Sequence, residues 1–149
     1  MILKILFIGD PVLRKKAKRV EKINDEIKKL AEDMMETMKS ADGVGLAAPQ
    51  VGRSIRMIVV SYEEKDMVLI NPEIIEKEGE SIDIEGCLSV PGVEVPVKRA
   101  EKITLKFQNL KGKTQIIKAE GMWARIFQHE IDHLDGILIV DKIEESVKV

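Results

Sequence analysis

Both histidines of this 149-residue chain fall within five consecutive residues, His129-Glu130-Ile131-Asp132-His133. Imidazoles four positions apart reach one ion together only when the backbone between them is helical. Glu130 follows the first of them, placed to act on a water at such an ion. Met122 and Ile126 continue the same stripe upstream, and Gly136 is a natural stop after the last turn. The pattern therefore predicts a helix near the end of the chain, and whatever fold forms must accommodate it.

The remaining residues supply a second helix and many strands. Met1–Val20 contains an Asp10-Pro11 turn signal and a basic run from Arg14 to Arg19 that reads as solvated surface. Asn24 is a good N-cap, Asp25 and Glu26 suit the positive helix end, and Ile27, Leu30, Ala31, Met34, Met35 and Met38 recur at helical spacing. The methionines are expected in the core. Gly43–Gly52 holds three glycines and a proline, the mark of a loop with a fixed backbone path. Strand-like runs follow at Ile55–Tyr62, Met67–Asn71, Ile74–Glu76, Ile103–Phe107 and Thr114–Lys118, with a hairpin turn at Asn109–Gly112. Ile137–Val140 reads as a last short strand before a polar tail. Ile and Val supply 34 residues, which favours strands over a helical bundle. The order helix, many strands, helix predicts an α+β fold with an amphipathic N-terminal helix. Residues 1–149 are long enough for one domain with a proper core and too short for two independent ones.

Composition narrows the function. A net charge of −2 argues against direct DNA binding through a strongly basic face. The longest uncharged stretch, Gly43–Gly52, is half of the roughly 20 residues a membrane span needs. Only Ile5–Gly9 separate Lys4 from Asp10, so no secretory signal is expected, and one cysteine excludes an internal disulfide. The reading is a cytoplasmic protein without a membrane partner.

Two imidazoles leave a metal site incomplete, because catalytic sites of the zinc type use three protein ligands and an open position. No His or Cys follows His133, although Asp132, Asp135, Asp141, Glu144 and Glu145 offer carboxylates. Upstream, Cys87 sits in Glu85-Gly86-Cys87-Leu88-Ser89, and a Cys87, His129, His133 set with one open position is the better reading. Donor chemistry alone points to zinc.

Three segments together, Gly43-Val44-Gly45-Leu46-Ala47-Ala48-Pro49-Gln50, Glu85-Gly86-Cys87-Leu88-Ser89 and Gln128-His129-Glu130-Ile131-Asp132-His133, resemble the signature motifs of the peptide deformylases, in the family's order. The resemblance implies an α+β fold with antiparallel or mixed β-sheets packed around the central motif helix, and a metal-dependent hydrolase of protein biosynthesis that removes the formyl group from N-formylmethionine on nascent polypeptides. It implies Fe²⁺ as the cellular metal, with Zn²⁺, Ni²⁺ or Co²⁺ able to replace it. Gln50 and the backbone N–H of Leu88 match the family's oxyanion donors. A transient ribosome contact is a further implied partner, and the C-terminal ribosome-docking helix of some relatives is expected to be missing or shortened here.

The chemistry agrees with that implication. Formamide hydrolysis needs hydroxide at neutral pH, which a bound metal supplies, and Glu130 would take the proton and return it to the leaving amine. A methionine side chain needs an apolar slot, for which Val44, Met122 and Ile126 are candidates, each of which could equally be core. Gly45 serves either a turn or the close approach of substrate backbone. Arg99 is left between a surface role and a substrate contact. Two alternatives share the motifs: a His-Glu-x-x-His metallopeptidase, and an inactive relative that binds nascent chains.

Overall fold

The computed structural model describes residues 1–144; Glu145 and the rest of the polar tail lie outside the described residues. Helix α1 spans Asp25–Ser40, and the Asn24 carboxamide caps it by accepting from Ile27 N at 3.1 Å. Seven strands follow: β1 (Gly45–Ala47), β2 (Met57–Tyr62), β3 (Lys65–Glu78), β4 (Ser81–Cys87), β5 (Val90–Arg99), β6 (Lys102–Gln108) and β7 (Thr114–Glu120). Helix α2 covers Gly121–Leu134. Five strands form one antiparallel sheet in the order β1-β2-β3-β6-β7, and β4 pairs with β5 in a separate antiparallel hairpin.

Residues Met57–Val60 of β2 are all buried because helices cover both faces of the sheet there. Ile58 and Val60 join Leu69, Leu105, Ala124, Phe127 and Leu134 on the α2 side. Met57 and Val59 join Leu30, Met34, Met38 and Leu46 on the α1 side. Period-two alternation thus sends neighbouring residues into two different cores, and the strand reads as a continuous apolar run. Met34 and Met38 are fully buried, as the helical spacing anticipated.

Local chemistry decides where the strands differ from expectation. The Gly43–Gly52 loop contains a short edge strand, β1, and a 3₁₀ turn at Ala48–Val51. The two runs separated at Asn71-Pro72 are one strand, β3, whose ladder with β6 shifts register between Ile70 and Glu73. Asn71 takes φ +52°, and its side chain holds Val20 N (2.8 Å), Val20 O (2.9 Å) and Gln108 (2.8 Å), which stabilises a backbone that asparagine tolerates better than most residues. The Asn109–Gly112 turn forms as anticipated, with Asn109 Oδ1 accepting from Lys111 and Lys113.

The final strand expected at Ile137–Val140 does not form. Gly136 bends the chain at φ +74°, where a Cβ would meet Arg14 O at 2.6 Å. Asp141 then accepts from Leu138 N at 2.9 Å, closing a 3₁₀ turn at Ile139–Asp141. Local hydrogen bonding replaces a ladder, and Ile139 packs on Val90 and Val97 of the hairpin instead. The hairpin itself, Ser81–Arg99, lies outside the expected strands: Ile82 and Ile84 alternate with polar residues but are exposed, and Pro91 and Pro96 interrupt the return strand.

Candidate metal centre

Helix α2 brings His129 and His133 onto one face, with ring centroids 5.2 Å apart. Arg56 holds the far end of the helix, donating to Leu134 O at 3.0 Å and pairing with Asp135 at 3.0 Å. Cys87 ends β4 and faces this helix, its Sγ 3.3 Å from His133 Nε2. One ligand atom from each of Cys87, His129 and His133 lies within 4.8 Å of the others. The other candidate carboxylates turn elsewhere, Asp132 to Arg99, Asp135 to Arg56, Asp141 to Arg14 and Glu144 to Lys98, while Glu145 lies outside the described residues.

Glu130 lies beside the trio, 5% exposed, with Oε2 3.9 Å from His129 Nε2 and Oε1 without a hydrogen-bond partner among the described residues. Its approach depends on Gly45, where a Cβ would stand 2.5 Å from Glu130 Oε2. Gln50 is buried: Oε1 accepts from Ala47 N at 2.9 Å, while Nε2 donates to Ser89 Oγ at 3.0 Å and lies 3.8 Å from Cys87 Sγ. Leu88 sits in the turn between β4 and β5.

These groups open on a cleft of about 800 Å³. Val44, Gly45, Gln50, Cys87, Leu88, Met122, Ile126, His129 and Glu130 all line it, while His133 lies behind. Val44 and Met122 are exposed at 46% and 42%, whereas Ile126 is buried at 4% and also belongs to the α2 core.

The sequence reading passed over a buried charge network. Glu85 Oε1 accepts from Arg99 Nη2 (2.8 Å) and faces His129 Nδ1 (2.8 Å), while Oε2 accepts from Arg99 Nε (2.9 Å) and Arg125 Nη1 (2.6 Å). Arg99 also pairs with Asp132. At 5% exposure Arg99 is neither surface nor substrate contact but part of this lattice. Spacing held the signal: Glu85 shares a strand face with Cys87, and Arg125 stands one helical turn before His129.

The network sets the electrostatics. Burial alone would raise Glu85, but hydrogen bonds from Arg99 and His129 hold it at about 2. An ionised carboxylate only accepts, so His129 carries its hydrogen on Nδ1 and presents Nε2 to the trio. Burial disfavours charge on His129 as well, yet Glu130, Cys87 and Glu85 outweigh it and raise the imidazole to about 10. The surroundings of that ring therefore favour a positive charge. Burial holds His133 neutral, down at about 3, and pushes Glu130 up to about 7. Two neutralisable nitrogens, one sulfur and anionic surroundings fit a divalent cation.

The family profile described as polypeptide deformylase matches residues 2–149. This chain belongs to the polypeptide deformylase family. A peptide deformylase of Dictyoglomus thermophilum is 62% identical over 149 residues, covering 99% of this chain and 97% of that protein. The crystal structure of peptide deformylase from Thermotoga maritima superimposes with a TM-score of 0.95 at 47% identity, over 97% of this chain and 99% of that one. The Acinetobacter baumannii enzyme, solved with Met-Ala-Ser bound, gives a TM-score of 0.93 at 37% identity, over 96% and 99%. The chain is accordingly a metal-dependent hydrolase acting at the formylmethionine end of new polypeptides. Among the described residues, no helix is long and apolar enough to cross a membrane.

Proposed function

We propose that residues 1–149 form one catalytic domain that hydrolyses the formamide of N-formylmethionyl nascent chains, with Cys87, His129 and His133 as the metal ligands. The observation that carries this assignment is the convergence of those three ligand atoms, within 4.8 Å, beside a buried carboxylate oxygen with no partner among the described residues. When bound, a divalent ion supplies Lewis acidity, which makes hydroxide available at neutral pH and polarises the formyl carbonyl. We assign that ion as Fe²⁺, with Zn²⁺, Ni²⁺ or Co²⁺ as substitutes.

Glu130 accepts the proton of the attacking water on a carboxylate oxygen and delivers it to the leaving amine, so formate and a free α-amine result. Gln50 Nε2 and the Leu88 N–H donate to the developing oxyanion, each worth roughly 3–4 kcal/mol to the transition state. Val44, Met122 and Ile126 form the apolar slot for the methionine side chain, and Gly45 lets substrate backbone approach. The work belongs in the cytoplasm, where a transient ribosome contact would present emerging chains.

Formate release from formyl-Met-Ala, with iron loaded under argon, tests the reading. Wild type should turn over while Cys87→Ala and His129→Ala lose both metal and activity. Cleavage of an internal bond in an unformylated peptide would instead identify a metallopeptidase, and metal binding without turnover would identify a binding relative.

A further inference from the structure

The two histidines are held very differently. His129 Nδ1 rests on Glu85 at 2.8 Å, whereas His133 Nδ1 is buried with no partner among the described residues. Among the described residues, the Nδ1 side of this pair, turned away from the ligand trio, is therefore held through Glu85, while the Nε2 of His133 faces Cys87 Sγ at 3.3 Å. Glu85 belongs to β4 and His129 to α2, so the contact is only as firm as the join between hairpin and helix.

Arg125 makes that join together with the Arg99–Asp132 pair. From α2, one turn before His129, its guanidinium reaches Glu85 Oε2 (2.6 Å), Val97 O (2.9 Å), Ser81 O (2.8 Å) and Ser81 Oγ (3.0 Å). One planar fork thus binds both strands of the hairpin that carries Cys87 to the helix that carries the histidines. It also balances the lattice: Arg99 and Arg125 against Glu85 and Asp132 leave no net charge behind the ligands.

We propose that Arg125 is a positioning residue of the metal centre, acting through Glu85 on the ring of His129 and through the hairpin on Cys87. The inference rests on the assignment of Cys87 and His129 as ligands. Partners behind a ligating histidine are worth about 10- to 100-fold in metal affinity. Arg125→Met, similar in length but without donors, should release cobalt to a chelator about 10- to 100-fold faster than wild type. Its Co²⁺ absorption bands should change shape, and kcat should fall with KM little altered. Arg125→Lys, which restores one charged donor, should recover part of the loss.

These readouts separate positioning from ordinary stabilisation. A lowered melting temperature with wild-type cobalt release and an unchanged spectrum would overturn the proposal. Should Arg125→Met not fold, Arg125→Lys carries the test at a temperature where circular dichroism shows it folded. Release at least threefold faster than wild type supports the role, and unchanged release rejects it. Failure of wild type itself to hold cobalt would indict the ligand assignment instead.

Discussion

The two flanks of the cleft are held by opposite kinds of force. On one side, α1 and β2 meet through Met34, Met38, Met57 and Val59, an apolar contact without charge. On the other, the β4–β5 hairpin reaches α2 through Glu85, Arg99, Arg125 and Asp132, and among the described residues its buried apolar cluster holds only Val90 and Val97 with Ile139 of the following 3₁₀ turn. The first kind of contact is tolerant of shape and indifferent to pH. The second is directional, because removing one partner strands a buried charge. A catalytic centre built where the two meet gains a firm scaffold on one side and oriented donors on the other.

Glu130, at that meeting point, should respond most. Glu130→Gln should retain the metal while kcat/KM falls about 10²- to 10⁴-fold, the usual worth of a general acid–base group. Retention of more than about a tenth of wild-type rate, a loss under 1.4 kcal/mol of barrier, would remove the assignment.

On the apolar flank, Met38→Ala should lower stability by about 2–5 kcal/mol through the cavity it leaves. Denaturant titrations at pH 6 and pH 4 should give the same loss. A strongly pH-dependent loss would mean that this flank is not the purely apolar contact it looks.

The charged flank should behave otherwise. Glu85 is held at about 2 against an ordinary 4.5, so its stabilisation is complete above 4.5 and is lost as pH falls towards 2. The stability gap between metal-free wild type and Glu85→Gln should shrink by about 2 kcal/mol between pH 5 and pH 3. A gap that stays constant across this range would show that Glu85 contributes shape rather than charge.

Smallest is the cap of α1. Asn24→Ala removes the acceptor for Ile27 N and should cost about 1 kcal/mol, read from the melting temperature, with kcat untouched.

The same contrast explains what the sequence could disclose. The cap, the Met34–Met38 spacing, the β2 run and the motif helix were legible because apolar periodicity is written locally. The trio was legible because histidine and cysteine are so scarce here. The hairpin was not, since its polar residues alternate with exposed Ile82 and Ile84, and the sense of its charges appears only when Arg99 and Arg125 converge on one carboxylate. Ile137–Val140 misled because an apolar run specifies burial without specifying a ladder. Ile126 stands on both sides of the division, lining the cleft while belonging to the core. Ile126→Ala should therefore lower both the melting temperature and the preference for formyl-Met over formyl-Phe peptides, and an unchanged ratio would leave it as core alone.

Strand β2, enclosed by a helix on each face, has one more consequence. No local fluctuation can bring its central amides to solvent while both helices stay docked, so in deuterated water Ile58, Val59 and Val60 should exchange only when the whole chain opens. Their exchange rate becomes an internal gauge of global stability. Edge strand β7, with Thr114, Gln115 and Ile116 all exposed, should exchange through shallower openings.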